Sequence, residues 1–121
     1  MKPEAKAKWV AALRSGEYKQ GDNWLYNPVS GKYCCLGVLL AVHKMPLGDS
    51  ARGLLSAGER ECFNLRASEA GALTLLNDGG TRGAAVQHIP LLGDWLGFKK
   101  GDKASCKMTF NQIADIVEKH L

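Results

Sequence analysis

Apolar residues recur at helical spacing near the start of the chain. Pro3 suits the first turn of a helix, and Trp9, Val10 and Leu13 then follow with the period of an α-helix. Gly16 is typical of the position just after a helix end. The pattern therefore predicts a first helix over residues 3–15.

The last helix has the strongest pattern in the chain. Thr109 and Gln112 have the spacing of a capping box, in which the two side chains bond each other's backbone amides. An apolar face follows at helical spacing, and polar residues occupy most of the opposite face. The residues expected on the buried face are Phe110, Ile113, Ile116, Val117 and Leu121.

A hairpin and a buried helix are predicted between these two helices. Aromatic residues flank the turn-rich segment Asn27–Gly31, which is typical of two short strands joined by a four- or five-residue loop. The segment from Leu36 to His43 is almost entirely apolar, and Pro46 and the turn-rich residues 47–50 end it. It is far shorter than the roughly 20 residues needed to cross a bilayer. We therefore expect a central core helix and no membrane partner.

Three shorter helices are predicted over residues 56–65, 70–76 and 90–96. Ser68 and Glu69 are expected to cap the second of them, and the glycine-rich segment 77–83 is expected to end it. The chain has 121 residues, which suits one domain, and it shows no internal repeat. The predicted fold is α+β: a mostly helical single domain over residues 1–121, packed around a short β-hairpin.

The composition adds charge to this description. The net charge is +4, and lysines gather near both ends of the chain. Such clusters can steer anions, but they are too sparse for a dedicated nucleic-acid domain, so nucleic acid is the weaker alternative as a partner. The first residues lack the apolar segment of a secretory signal, so export is not expected.

The cysteines and histidines do not predict a metal site. Without a secretion signal, the four cysteines are expected to be reduced thiols. The three histidines are scattered without the spacing of metal ligands. We therefore expect neither a bound metal nor a cofactor.

Cys34 is the one candidate nucleophile, because it lies where a strand leads into a helix. The positive potential at a helix N-terminus favours thiolate. A hydrolase or transferase would also need a base such as His88 and an orienting carboxylate such as Asp94 or Asp78. The sequence shows no signature for that combination.

The alternative for this segment is purely structural, and it is the interpretation we favour. Cys34 and Cys35 would be small buried hydrophobic residues, and Gly37 would admit a neighbouring backbone. His43 would then bond the C-terminal end of the core helix.

The glycine-rich loop is a candidate anion site. Glycines 79 and 80 let backbone amides point at one place, and Thr81 and Arg82 add donors suited to phosphate. The alternative is that Asn77 and Asp78 cap helices and bond loop amides while the glycines turn the chain.

The hairpin combines aromatic and basic residues. Trp24 and Tyr33 lie close in sequence to Lys19 and Lys32, a combination that can stack a base and pair its phosphate. The alternative, which we favour for both aromatic residues, is packing against the first helix, where Trp9 lies.

Four segments of the sequence together resemble a family of small proteins encoded by tailed bacteriophages and prophages. They are Trp9–Gln20, Tyr33–Val38, Leu76–Asp78 and Thr109–Glu118. The resemblance implies a protein made in the cytoplasm of an infected bacterium, and it carries over no reaction and no site residues. Residues 79–108 are longer than the family pattern and form either a specificity element or a loop.

These patterns lead to one main hypothesis and two alternatives. The main hypothesis is a non-enzymatic phage accessory protein that sequesters a phosphate-bearing host ligand, such as a nucleotide signal, or inhibits a host protein. The alternatives are a Cys34-dependent hydrolase or transferase, and an interaction module with an exposed patch of Leu91, Leu92, Trp95 and Phe98. The predicted ligand residues are Trp24, Tyr33, Asn77, Asp78, Thr81, Arg82 and Lys99.

Overall fold

The computed structural model describes residues 1–47 and 54–121 and confirms the α+β class. Within these residues the chain forms seven helices and one two-stranded antiparallel sheet. In chain order they are α1 (Pro3–Ser15), β1 (Tyr26–Asn27), β2 (Lys32–Tyr33), α2 (Cys35–Val42), α3 (Ala57–Phe63), α4 (Ala67–Asp78), α5 (Arg82–His88), α6 (Leu91–Leu96) and α7 (Phe110–His120).

The first and last helices pack against each other, and both match their predicted bounds closely. Gly16 ends α1 in the left-handed conformation, with φ of 78°. Thr109 and Gln112 form the predicted capping box of α7. Arg14 crosses the contact and bonds Asp115 at 2.6 Å and Glu118 at 2.8 Å. These pairs are exposed, so most of the stability of this contact comes from apolar burial.

Helix α2 lies at the centre of the core, as its apolar sequence predicts. Residues 35–40 are all buried. The indole Nε1 of the buried Trp9 donates to the Cys35 carbonyl at 2.8 Å, which joins α1 to the start of α2. His43 bonds the Leu39 carbonyl through Nδ1 at 2.8 Å, so its predicted place at the helix end is confirmed. None of the described helices is long and apolar enough to cross a membrane.

The predicted hairpin is confirmed, but Trp24, which lies just before it, is exposed rather than buried as predicted. Tyr26 lies opposite Tyr33, and the Tyr33 ring packs against the rings of Tyr26 and Tyr18 at 4.7 and 5.2 Å. Trp24 is 37% exposed, so the prediction that it packs in the core is wrong. Its neighbour Leu25 is buried instead, where its backbone meets Gly37 of α2.

Two helix boundaries differ from the sequence prediction. Helix α4 begins at Ala67, so Ser68 lies inside it and is not its cap. Glu69 instead reaches back to accept the Arg66 amide at 2.8 Å. Helix α5 was not predicted, because Gly83 resembles a helix breaker in the sequence. The turn predicted at residues 47–50 lies, apart from Leu47, outside the described residues.

The predicted exposed patch on α6 is wrong. Leu92 and Phe98 are buried, and Leu91 is half-buried. Trp95 stacks on the His120 ring with a centroid distance of 5.5 Å. These residues are covered because α6 packs against both α4 and α5. The apolar side chains of α6 therefore belong to the core.

Gly37 marks the tightest approach between α2 and the hairpin. A Cβ at this position would fall on the carbonyl oxygen of Leu25. The prediction that Gly37 admits a neighbouring backbone is therefore confirmed. The approach also explains why a helix with an otherwise apolar sequence contains a glycine in its first turn.

Replacing Gly37 with alanine should destabilise the fold by about 3 kcal/mol or more, because two backbone segments would have to separate. Gly58→Ala is the matched control, since a Cβ at Gly58 in α3 meets nothing within 4 Å. The control should gain up to about 1 kcal/mol from helix propensity. Urea unfolding followed by circular dichroism measures both, and an unchanged midpoint for Gly37→Ala would contradict the close approach.

Candidate functional site

The side chain of Asn77 organises the region between α2, α4 and the hairpin. It is fully buried. Its Oδ1 accepts from the Cys35 amide at 3.1 Å and from Gln20 Nε2 at 3.2 Å. Its Nδ2 donates to the Gly21 carbonyl at 2.8 Å and to Asp78 Oδ1 at 2.9 Å. These four bonds use the full capacity of the amide.

Gln20 extends this network to the start of α7. Its Nε2 also donates to the Met108 carbonyl at 2.7 Å, and its Oε1 accepts from the Phe110 amide at 3.0 Å. We call this network of Gln20 and Asn77 with their partners the Gln20–Asn77 node. The node joins residues of four segments that are distant in sequence, Trp9–Gln20, Tyr33–Val38, Leu76–Asp78 and Thr109–Glu118.

Asp78 holds the loop that precedes the hairpin. Its Oδ1 accepts from the Asn23 amide at 3.2 Å. Asn77 supplies the acceptor for the first amide of α2, so the interpretation that Asn77 and Asp78 serve helix ends and loop amides is confirmed. Asn77 positions the loop and, being fully buried, has no surface to offer a ligand.

Three backbone amides in and next to the glycine-rich loop are used within the chain. The amides of Gly79, Arg82 and Gly83 all donate within the chain, so they are not available to a phosphate. Their acceptors are the carbonyl oxygens of Leu75, Ala104 and Asp102, at 2.8, 2.9 and 2.8 Å.

The predicted phosphate residues Thr81 and Arg82 lie at the start of α5, and Lys99 follows α6 in the chain. Arg82 donates through Nε to the Ser105 carbonyl at 3.2 Å, and its guanidinium lies 4.6 Å from the centroid of the Phe98 ring. Thr81, the residue before Arg82, and Lys99, the residue after Phe98, are both exposed. Among the described residues, Arg82 contacts Ser105 and Phe98 whereas Tyr33 contacts Tyr18 and Tyr26, so these two predicted site residues share no hydrogen bond or ring contact.

The structure does not support Cys34 as an activated nucleophile. Cys34 is buried at the N-cap of α2, and its Sγ accepts from the Gly37 amide at 3.4 Å. Burial raises the pKa of the thiol to about 11, and this outweighs the opposite effect of the backbone hydrogen bonds. His88 and Asp94, the suggested base and orienting group, are exposed on α5 and α6. The thiol is therefore protonated near neutral pH.

A polar pocket beside the hairpin is the site that the sequence analysis missed. Its volume is about 400 Å³, and it lies between the hairpin, the loop before it and the segment before α7. No motif signals it, because its walls come from chain segments more than 70 residues apart. We call it the hairpin pocket, and its lining residues are Gln20, Gly21, Asp22, Asn27, Ser30, Lys32 and Lys107.

Four hydrogen-bond donors lie in the walls of the hairpin pocket. Lys32 and Lys107 provide ammonium groups. Asn27 uses its Oδ1 to accept from the loop at 3.0 Å, which leaves its amide NH₂ as a donor. Ser30 uses its Oγ as an acceptor at 3.3 Å, which leaves its hydroxyl hydrogen as a donor. The only carboxylate among the described lining residues is Asp22, which accepts from Lys107 Nζ at 2.9 Å.

A larger cavity of about 590 Å³ lies beside the start of α1. His43, Cys62 and Phe63 are among its lining residues, and its walls are mostly hydrocarbon. No group of three or more metal-binding side chains occurs among the described residues, here or elsewhere. The larger cavity also has two lysines in its walls, Lys2 and Lys8, but the hairpin pocket has the more polar walls and is the better candidate for a charged ligand.

Comparison with known proteins gives one match. A family model described as a domain of unknown function, DUF8296, matches residues 1–52. No curated protein and no solved structure matches the chain significantly. The matched segment contains α1, the hairpin and α2, and therefore most of the hairpin pocket, whereas Asn77 and Lys107 lie outside it.

Asn77→Ala should destabilise the fold by about 2 to 4 kcal/mol, because it leaves a buried amide and a buried carbonyl without partners. The matched control is Asn111→Ala, which removes an exposed side chain from α7 and should change stability by less than about 0.5 kcal/mol. Chemical unfolding measures both variants. Equal stability of the two would show that the Gln20–Asn77 node is unimportant.

Thiol labelling should distinguish the cysteines by burial. Cys62 is exposed and should react with iodoacetamide at pH 7.5, whereas the buried Cys34, Cys35 and Cys106 should react only after unfolding. Cys34 should stay slow even at pH 9, because its pKa is raised to about 11. Mass spectrometry of the labelled peptides provides the measurement. Labelling of Cys34 as fast as that of Cys62 would restore the nucleophile hypothesis.

Proposed function

We propose that the chain is a non-enzymatic accessory protein of a bacteriophage or prophage that binds a phosphate-bearing small molecule of its host. The hairpin pocket is the proposed site. The observation that supports this most directly is the convergence of two lysines, a hydroxyl and an amide on one pocket of about 400 Å³. Charge-assisted bonds from such donors are the strong interactions of phosphate recognition.

The charge of the pocket supports an anionic ligand. Lys32 and Lys107 together outweigh the single carboxylate of Asp22. Lys32 forms no ion pair with any residue that the structure describes, so its charge is available to a ligand. The stem of Lys32 packs over Gly21, where a Cβ would meet the Lys32 Cβ at 2.7 Å. This packing orders the hydrocarbon stem of Lys32 beside the pocket.

The biological role that we propose follows from the resemblance to phage proteins. A small protein that binds a nucleotide-type host signal lowers its free concentration without any reaction. The exposed Trp24 lies three residues before the Asn27 wall of the pocket and is the hairpin aromatic available to stack on a base. Arg82, Thr81 and Lys99 do not line the hairpin pocket and are not part of this proposed site.

Nucleotides and inorganic phosphate should raise the melting temperature of the protein, because a ligand that binds only the folded state stabilises it. Lys32→Ala should weaken their binding by about tenfold, the loss of one charge-assisted hydrogen bond. Isothermal titration calorimetry measures the affinities. The matched control is Lys100→Ala, which removes an exposed lysine that does not line the pocket.

Two results would count against this function. A broad panel of nucleotides and sugar phosphates with no effect on the melting temperature at millimolar concentration would exclude small phosphate ligands. Equal weakening by Lys32→Ala and Lys100→Ala would show that the binding reflects overall charge rather than the hairpin pocket.

A further inference from the structure

Asp22 is unusual among the walls of the hairpin pocket, because it is an acid among donors. Its Oδ2 accepts from Lys107 Nζ at 2.9 Å. Both side chains are partly exposed, 39% for Asp22 and 50% for Lys107. An ion pair with this exposure contributes little stability, so a stronger anion can break it. The carboxylate thus occupies the position on Lys107 that a phosphate oxygen would take.

The backbone on either side of Asp22 is fixed. The Gly21 amide donates to the Tyr33 carbonyl at 2.8 Å, and the Gly21 carbonyl accepts from Asn77 at 2.8 Å. The Asn23 amide donates to Asp78 at 3.2 Å. Asp22 can therefore leave Lys107 by side-chain rotation alone, and its carboxylate stays at the pocket wall when it does.

We propose that Asp22 determines the class of ligand: a phosphate monoester whose next group is a sugar carrying hydroxyls. This inference rests on the proposed function. The phosphate displaces Asp22 from Lys107 and lies between Lys107 and Lys32. The released carboxylate then accepts a hydrogen bond from a sugar hydroxyl, which offsets the loss of the ion pair.

Two ligands should respond to Asp22 in opposite ways. Methyl phosphate must break the ion pair with Lys107 and, as a dianion, carries no hydroxyl to donate, so Asp22 opposes its binding. Ribose 5-phosphate breaks the same pair but supplies a hydroxyl for the carboxylate, which is a strong acceptor when charged. The wild-type protein should therefore prefer ribose 5-phosphate, and the preference should depend on the charge of Asp22.

The test is calorimetric titration of the wild type and Asp22→Asn, near pH 8, with methyl phosphate and ribose 5-phosphate. The wild type should bind ribose 5-phosphate about tenfold more tightly than methyl phosphate. In Asp22→Asn, methyl phosphate should bind about fivefold more tightly than in the wild type, and the preference should fall to about twofold. Asp94→Asn, an exposed acid outside the pocket, should leave both affinities unchanged.

A second variant separates competition at Lys107 from a general effect of charge. In a Lys107→Met background, Asp22→Asn should not tighten the binding of methyl phosphate by the same fivefold, because the ammonium group for which the two anions compete is gone. An adenosine 5′-monophosphate titration distinguishes the source of the ligand. Tighter binding than that of ribose 5-phosphate indicates a nucleotide, and equal binding indicates a sugar phosphate.

Each outcome decides a different claim. Wild-type binding with an unchanged preference in Asp22→Asn would overturn the role of Asp22 and leave the proposed function standing. Absence of binding by the wild type and by Asp22→Asn, with both proteins showing normal melting curves, would overturn the proposed function as well.

Discussion

The buried amide of Asn77 is the interaction on which the rest of this structure depends. A buried polar group is costly unless it is fully hydrogen-bonded, and each of the four bonds of this amide goes to the chain itself. These bonds fix the start of α2, the end of α4 and the loop before the hairpin relative to one another. Apolar packing alone would hold the same elements together but would allow them to slide, because it has little direction.

The same node sets the geometry of the hairpin pocket. Gln20 and Gly21 bond Asn77 from one side while they line the pocket on the other. The part of the pocket wall formed by these two residues is thus the outer surface of a buried network, which fixes their positions. The four donors of the pocket lie outside this network, on the hairpin and on the segment before α7.

Periodicity and capping patterns were sufficient to predict most of the fold. The apolar repeat of α1, the capping box of α7 and the apolar run of α2 are local signals. Helix α5 was missed because Gly83 resembles a breaker, whereas the glycine is needed where a Cβ would meet the backbone of Gly101 at 2.8 Å. The hairpin pocket could not be predicted, since Asp22 and Lys107 meet only through the fold.

The segment around Cys34 shows how the core limits the chemistry of this protein. The start of a helix favours a thiolate, but the close packing that Gly37 permits excludes water from the same sulfur. Desolvation is the larger effect, so the thiol keeps its proton. The chain thus uses the thiol at the start of α2 as packing, and the potential of the helix N-terminus does not activate it.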